Sequence, residues 1–160
     1  MLSIRINELK KFTSMLFLED AFDKFCLHDA VFRTAVSTVI DGSRNMDFYQ
    51  EGEAPAEPYA LWPEVKPLLY QAVRGSRLPV SFRLVLLTGS TATQAITRRS
   101  GFTDCEVTSL SLNISYREQV LTLTTGVSYK GFSMEKSLEK YWDAAVLQFL
   151  DKHGLTYTEA

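Results

Sequence analysis

Residues 108 to 126, TSLSLNISYREQVLTLTTG, alternate apolar and polar side chains almost without interruption. A period of two is the mark of strands with one buried face. With Arg117 and Glu118 as the tip of a hairpin, Ile114 is predicted opposite Leu121, Leu112 opposite Leu123 and Asn113 opposite Thr122, which gathers the large aliphatics on one side. The other side then carries Ser109, Ser111, Asn113, Ser115, Thr122 and Thr124, hydroxyls and an amide with hardly a charge.

Upstream the period changes several times. Leu9, Phe12 and Leu16 recur at helical spacing behind Asn7, a suitable cap. From Lys24 to Ile40 the pattern is β-like, and Asp41-Gly42 reads as a hairpin turn that returns a short strand through Arg44 to Phe48. Leu61, Trp62, Val65, Leu68, Leu69, Ala72 and Val73 predict a second amphipathic helix over residues 58 to 74, with a kink or break near Pro67. Residues 80 to 87, VSFRLVLL, end apolar on both alternating sets, the pattern of an interior strand. A short third helix follows, with Thr91 and Gln94 at capping-box spacing and Gly101 as its stop. The last helix is read from Ser133 to about His153, with Leu138, Tyr141, Trp142, Ala145, Phe149 and Leu150 as its buried stripe.

These elements predict a single α+β domain over residues 1–160, a mainly antiparallel sheet of five to seven strands with amphipathic helices on one face, ending in a long C-terminal helix. The interval QEGEAPAEP, residues 50 to 58, reads as an exposed loop, because prolines and like charges suit neither helix nor ladder. Composition agrees with an ordinary globular chain: 46% hydrophobic and 22% charged residues, and no apolar run of bilayer length. The N-terminal MLSIRINELKK lacks the layout of a signal peptide, so a cytoplasmic location without membrane contact is expected. The formal charge of −2 removes the broad basic field of most nucleic-acid binders and disfavours nucleic acid as a partner.

Candidate chemistry is sparse. Cys26 and Cys105 stand far apart with only His28 and His153 to join them, which speaks against a metal site, and the chain carries no motif for a cofactor. Adjacent strand residues point to opposite faces, so His28 and Asp29 are not expected to pair, and no catalytic residue set is assembled. Ser133-Met-Glu-Lys136 spells an S-x-x-K fragment whose serine needs no role beyond capping, and Asp47, Glu51, Glu53 and Glu57 lie on a loop without ordered ligand spacing. The turn LLTGSTATQ joins a buried strand to a helix start, where free backbone N–H groups favour an anion, and Gly89, Ser90, Thr91 and Arg99 form the candidate anion site there. Because VLTLTTG carries no charge, proline or bulge to protect an edge, Val120, Thr122 and Thr124 are the candidate assembly edge, for a homo-oligomer or an unidentified protein partner.

Two resemblances bear on this reading. The segments IDGSRNMDFY, YALWPEVKP, SLNISY, LTTGVSYKGFS and KSLEKYWDAAVLQFL resemble, over essentially the whole chain, an uncharacterised clostridial (Firmicutes) family of unknown function, which carries no activity to transfer. The order of elements and the rhythm of LNISYREQVLTLTTGVSYKGFSM are similar to one domain of a DNA sliding clamp. That resemblance implies that Lys10, Lys11, Lys66 and Arg74 project together toward nucleic acid. The leading expectation is a non-enzymatic binding or assembly module of a bacterial cytoplasm. A clamp-like protein, and a small-molecule or anion binder or enzyme centred on Gly89 to Thr91, are the alternatives.

Overall fold

The computed structural model describes residues 1–75 and 77–160. Among them the chain runs β1 (Ser3–Ile6), α1 (Leu9–Phe17), β2 (Phe25–Arg33), β3 (Ser37–Asp41), a single 3-10 turn (Met46–Phe48), α2 (Trp62–Val73), β4 (Ser81–Thr88), α3 (Ser90–Ser100), β5 (Glu106–Arg117), β6 (Val120–Lys130), α4 (Ser137–Lys152) and β7 (Tyr157–Glu159). The strands make one antiparallel sheet in the spatial order β3-β2-β4-β5-β6-β1-β7. The α+β expectation and its strand range therefore hold. Among the described residues no helix is long and apolar enough to cross a membrane.

The central hairpin keeps its predicted faces but changes partners. Its tip is Glu118-Gln119, both left-handed with φ of 51° and 65°, as a two-residue hairpin turn requires. Tyr116 therefore faces Leu121, Ile114 faces Leu123 and Asn113 faces Thr124. The displacement from the expected register is two residues. A shift of one would have turned the aliphatics outward, whereas two leaves every side chain on its original face.

Leu110, Leu112, Ile114, Leu121 and Leu123 join Ile4, Ile6, Leu84 and Leu86 in one buried core. Over it lie Phe12 and Leu16 of α1, Trp62 and Leu69 of α2, and Leu138, Trp142 and Leu150 of α4. The indole N–H groups are satisfied as buried donors must be: Trp62 donates to the Leu16 carbonyl at 2.8 Å and Trp142 to the Ser111 carbonyl at 3.1 Å.

Several local expectations change. Asn7 does not cap α1; its side chain donates to Thr156 Oγ1, tying the helix entry to the C-terminal segment. The hairpin turn of the meander lies at Thr34–Val36, where the Thr34 N–H and hydroxyl both donate to the Val36 carbonyl, and not at Asp41-Gly42. No strand spans Arg44 to Phe48; that segment ends in the 3-10 turn. α2 is continuous through Pro67, because the carbonyl left without a partner is that of Pro63 in the exposed first turn, open to water. α4 starts at Ser137 and not at Ser133, whose hydroxyl instead donates to Asp104. The C-terminal helix is not long, and the chain ends in β7 beside β1.

Gly42 follows β3 where the chain leaves the hairpin, and its need for glycine is steric. A Cβ there would stand 1.8 Å from the Leu27 carbonyl oxygen, a backbone atom with nowhere to go. Gly42→Ala should cost about 3 kcal/mol or more in chemical denaturation, since relief requires moving β2 itself. A loss below about 1 kcal/mol would mean that the approach is not this close.

Candidate functional site on the uncovered sheet face

All the core side chains of the sheet point to the helices, so the alternate set is left on a face without helical cover. Across its centre run two rows of residues in register: Asp29, Val85, Asn113, Thr124 and Ser3, then Val31, Arg83, Ser115, Thr122 and Arg5. The hydroxyl side of the hairpin is part of this face. Its groups are lightly engaged with one another: Ser3 and Thr124 share a hydrogen bond at 3.3 Å, and the Asn113 amide donates to the Thr124 carbonyl at 3.3 Å.

Toward β2 the face deepens into a groove of about 490 Å³. Its floor is Val85, Ser109, Ser111 and Asn113, and its walls are Glu57 and Tyr59 on one side and Ser90 on another. Two β-bulges shape it. One lies between Val107 and Ser109, with Thr108 as the extra residue. The other lies between Leu27 and Asp29, with His28 as the extra residue. A bulge breaks strict alternation, which corrects the expectation for His28 and Asp29. Both reach the same groove, with His28 Nδ1 2.9 Å from Asp29 Oδ1. Arg83 Nη2 takes the second oxygen of Asp29 at 2.9 Å, and the Tyr59 ring lies 5.1 Å from the imidazole.

The wall containing Glu57 and Tyr59 is held by Arg44. Its guanidinium, 4% exposed, donates to the Glu57 carbonyl at 2.9 Å, the Tyr49 hydroxyl at 3.0 Å and both oxygens of Glu64 at 3.1 and 2.8 Å. Glu64 also accepts the Leu61 N–H at 2.6 Å at the start of α2. Four acceptor atoms, two on the loop and two on Glu64 of α2, are thereby held by one side chain, whose planar fork suits this geometry.

Gly89, Ser90 and Thr91 do stand at a helix N-terminus, with Gly89 as the cap of α3. The carboxylate of Glu57 already occupies it, accepting the Ser90 N–H at 2.7 Å and the Ser90 hydroxyl at 3.2 Å. Arg99 lies in the last turn of the same helix, nine residues or ~13.5 Å along the axis from the Ser90 that holds that carboxylate. Val120, Thr122 and Thr124 are brought together, but on an interior strand. β6 is bonded to β5 on one side and to β1 on the other, so it offers no edge; the free edges are β3 and β7. The four clamp-type cations are divided as well. Lys66 is bonded to Asp23 and the Glu19 carbonyl and Lys11 to the Gly154 carbonyl, while Lys10 and Arg74 flank a separate cavity with Arg77.

The groove offers hydrogen-bonding groups but a weak nucleophile set. Burial pushes the Cys26 thiol up to about 11, so it is protonated at neutral pH and inert. Ser90 is held by Glu57, and both oxygens of Asp29 are engaged. Among the described residues no group of three or more His, Cys, Asp or Glu side chains could hold a metal ion. Bulges, Glu57 as a cap supplied from outside the helix, and Arg77 were missed by sequence reasoning. Of these, only Glu57 gave any signal, through the charge run around it.

Fold and site define the class: an α+β protein built on one sheet, helices on one side and a polar, groove-bearing surface on the other. The chain belongs to DUF5721, a family of unknown function whose model matches residues 15–158. Neither a curated protein nor a solved structure matches the chain.

Arg44 holds the Glu64 carboxyl below the ordinary carboxylate range. A depressed carboxyl contributes stability that is complete above its unfolded value, ~4.3, and lost as pH falls through the folded value. Glu64 is 45% exposed, so solvent screens the pair, and Arg44→Ala should cost about 1–2 kcal/mol at neutral pH. The gap between wild type and variant, followed by denaturant melts, should narrow below about pH 4. A gap independent of pH would assign the effect to packing of the Arg44 stem instead.

Proposed function

We propose that the protein is a non-enzymatic assembly module of the bacterial cytoplasm in which the uncovered sheet face seats a second copy of the chain. The observation that carries this reading is the composition of that face. Ser109, Ser111, Asn113, Ser115, Thr122, Thr124 and Ser128 present groups that donate and accept, and Val31, Val39 and Val85 supply apolar area beside them. An isologous contact sets a patch against its own copy. A face of like charges would repel itself there, whereas hydroxyls and amides are complementary to themselves.

Size supports it. Five central strands ~4.8 Å apart and ~30 Å long present roughly 700 Å² in projection, close to the ~800 Å² per partner of a stable complex. The location rests on the absence, among the described residues, of any membrane-spanning helix and on two free cysteines. With the strand-addition route closed at β6, assembly through the face replaces assembly through the edge.

Native mass spectrometry at low salt should show a discrete dimer. Thr122→Lys puts a charge on the face without touching the core and should release monomer with little change in thermal midpoint. A wild type that stays monomeric throughout the micromolar range, or a variant that stays dimeric, would count against the proposal.

A further inference from the structure

The helix side of the sheet carries a second concavity, lying between α1, α2 and the segment after α2. It is about 340 Å³ in volume. A cavity of about 150 Å³ holds one benzene, so this one has room for a body of about two fused rings. Its floor is an aromatic ladder across three strands: Phe32 of β2 stacks on Phe82 of β4 at 5.0 Å and 14°, and Phe82 on Tyr116 of β5 at 5.3 Å and 21°. These are register partners, so the ladder is set by strand pairing and not by side-chain chance. Phe17 and Tyr70 complete the apolar wall.

Charge on the lining is of one sign. Lys10, Arg74 and Arg77 stand around the cavity, and no carboxylate lines it among the described residues. All three cations are exposed, and none forms an ion pair with another described residue. Elsewhere on this molecule Arg44, Lys66 and Arg83 each have a carboxylate partner. Tyr116, 3% exposed, lines the cavity at the far end of the ladder.

We infer that this cavity binds a small monoanion with a flat apolar body, of the aryl carboxylate class. The body lies on the Phe32, Phe82 and Tyr116 ladder, and the anionic head meets Arg74, Arg77 and Lys10. Arginine is suited to the head because its fork takes a carboxylate in bidentate fashion. Exposed Leu18 and Leu78 also line the cavity, at 63% and 67% exposure, and are covered when an apolar body enters. This site is on the opposite side of the sheet from the proposed dimer contact, so either reading can fail without the other.

The test is isothermal titration of the full chain with 2-naphthoate and its neutral isostere 2-naphthamide at low ionic strength. The acid should bind one per chain and the amide roughly tenfold or more weakly. Arg74→Ala combined with Arg77→Ala changes two exposed side chains, so the variant keeps its fold. It should lose about the same factor for the acid and nothing for the amide. Equal binding of acid and amide, or no heat at millimolar acid, would overturn the inference. So would sedimentation with phosphatidylglycerol vesicles by a protein that ignores naphthoate, which would make the cations and exposed leucines a lipid surface.

Discussion

Alternate side chains along β5 and β6 point to opposite sides of the sheet, so their aliphatics are buried only if one whole face is covered. The helices supply that cover. Phe12, Leu16, Trp62, Leu69, Trp142 and Leu150 close over the leucines of the hairpin in one core. What remains is dictated by the same parity. Ser109, Ser111, Asn113, Ser115, Thr122 and Thr124 go to the other side, where among the described residues only the loop ending at Leu61 rises beside them. Both proposed binding surfaces follow from this sorting, one made of the uncovered polar set and one where the apolar set, at Phe32, Phe82 and Tyr116, floors the cavity between α1 and α2.

A second physical theme is that helix starts are supplied with carboxylates from within the chain. Glu64 accepts the Leu61 N–H at α2, Glu57 accepts the Ser90 N–H at α3, and Glu135 accepts the Ser137 N–H at α4. Each satisfies an orphan donor and opposes the positive end of the dipole. For α3 this explains why a turn that reads as an anion site serves to fasten a loop: the anion is Glu57, carried on the segment that Arg44 organises. Glycine at position 89 suits the arrangement, since a Cβ there would lie 3.2 Å from Glu57 Oε1.

The parity of β5 and β6, the interior character of β4 and the stop at Gly101 were legible because each is written in neighbouring residues. The hairpin register was not, since Glu118-Gln119 carries none of the Asn or Gly that announces a left-handed turn. His28 and Asp29 were misjudged because a bulge depends on the pairing partner, which the sequence of β2 alone does not show. The candidate edge at Val120 to Thr124 failed for a similar reason. The strand that protects it, β1, lies more than a hundred residues earlier, and only the fold brings Ser3 opposite Thr124. Likewise the aromatic ladder joins residues 32, 82 and 116, whose adjacency no local pattern encodes.

Solution X-ray scattering over a concentration series tests the central claim most directly, because it reads mass and shape together. A single chain of 160 residues has a radius of gyration of about 15 Å. If the uncovered face seats a second copy, the forward scattering should rise with concentration to the mass of two chains, with a compact particle larger than that radius. A mass of one chain and a radius near 15 Å at every concentration would contradict the account and leave the face to water.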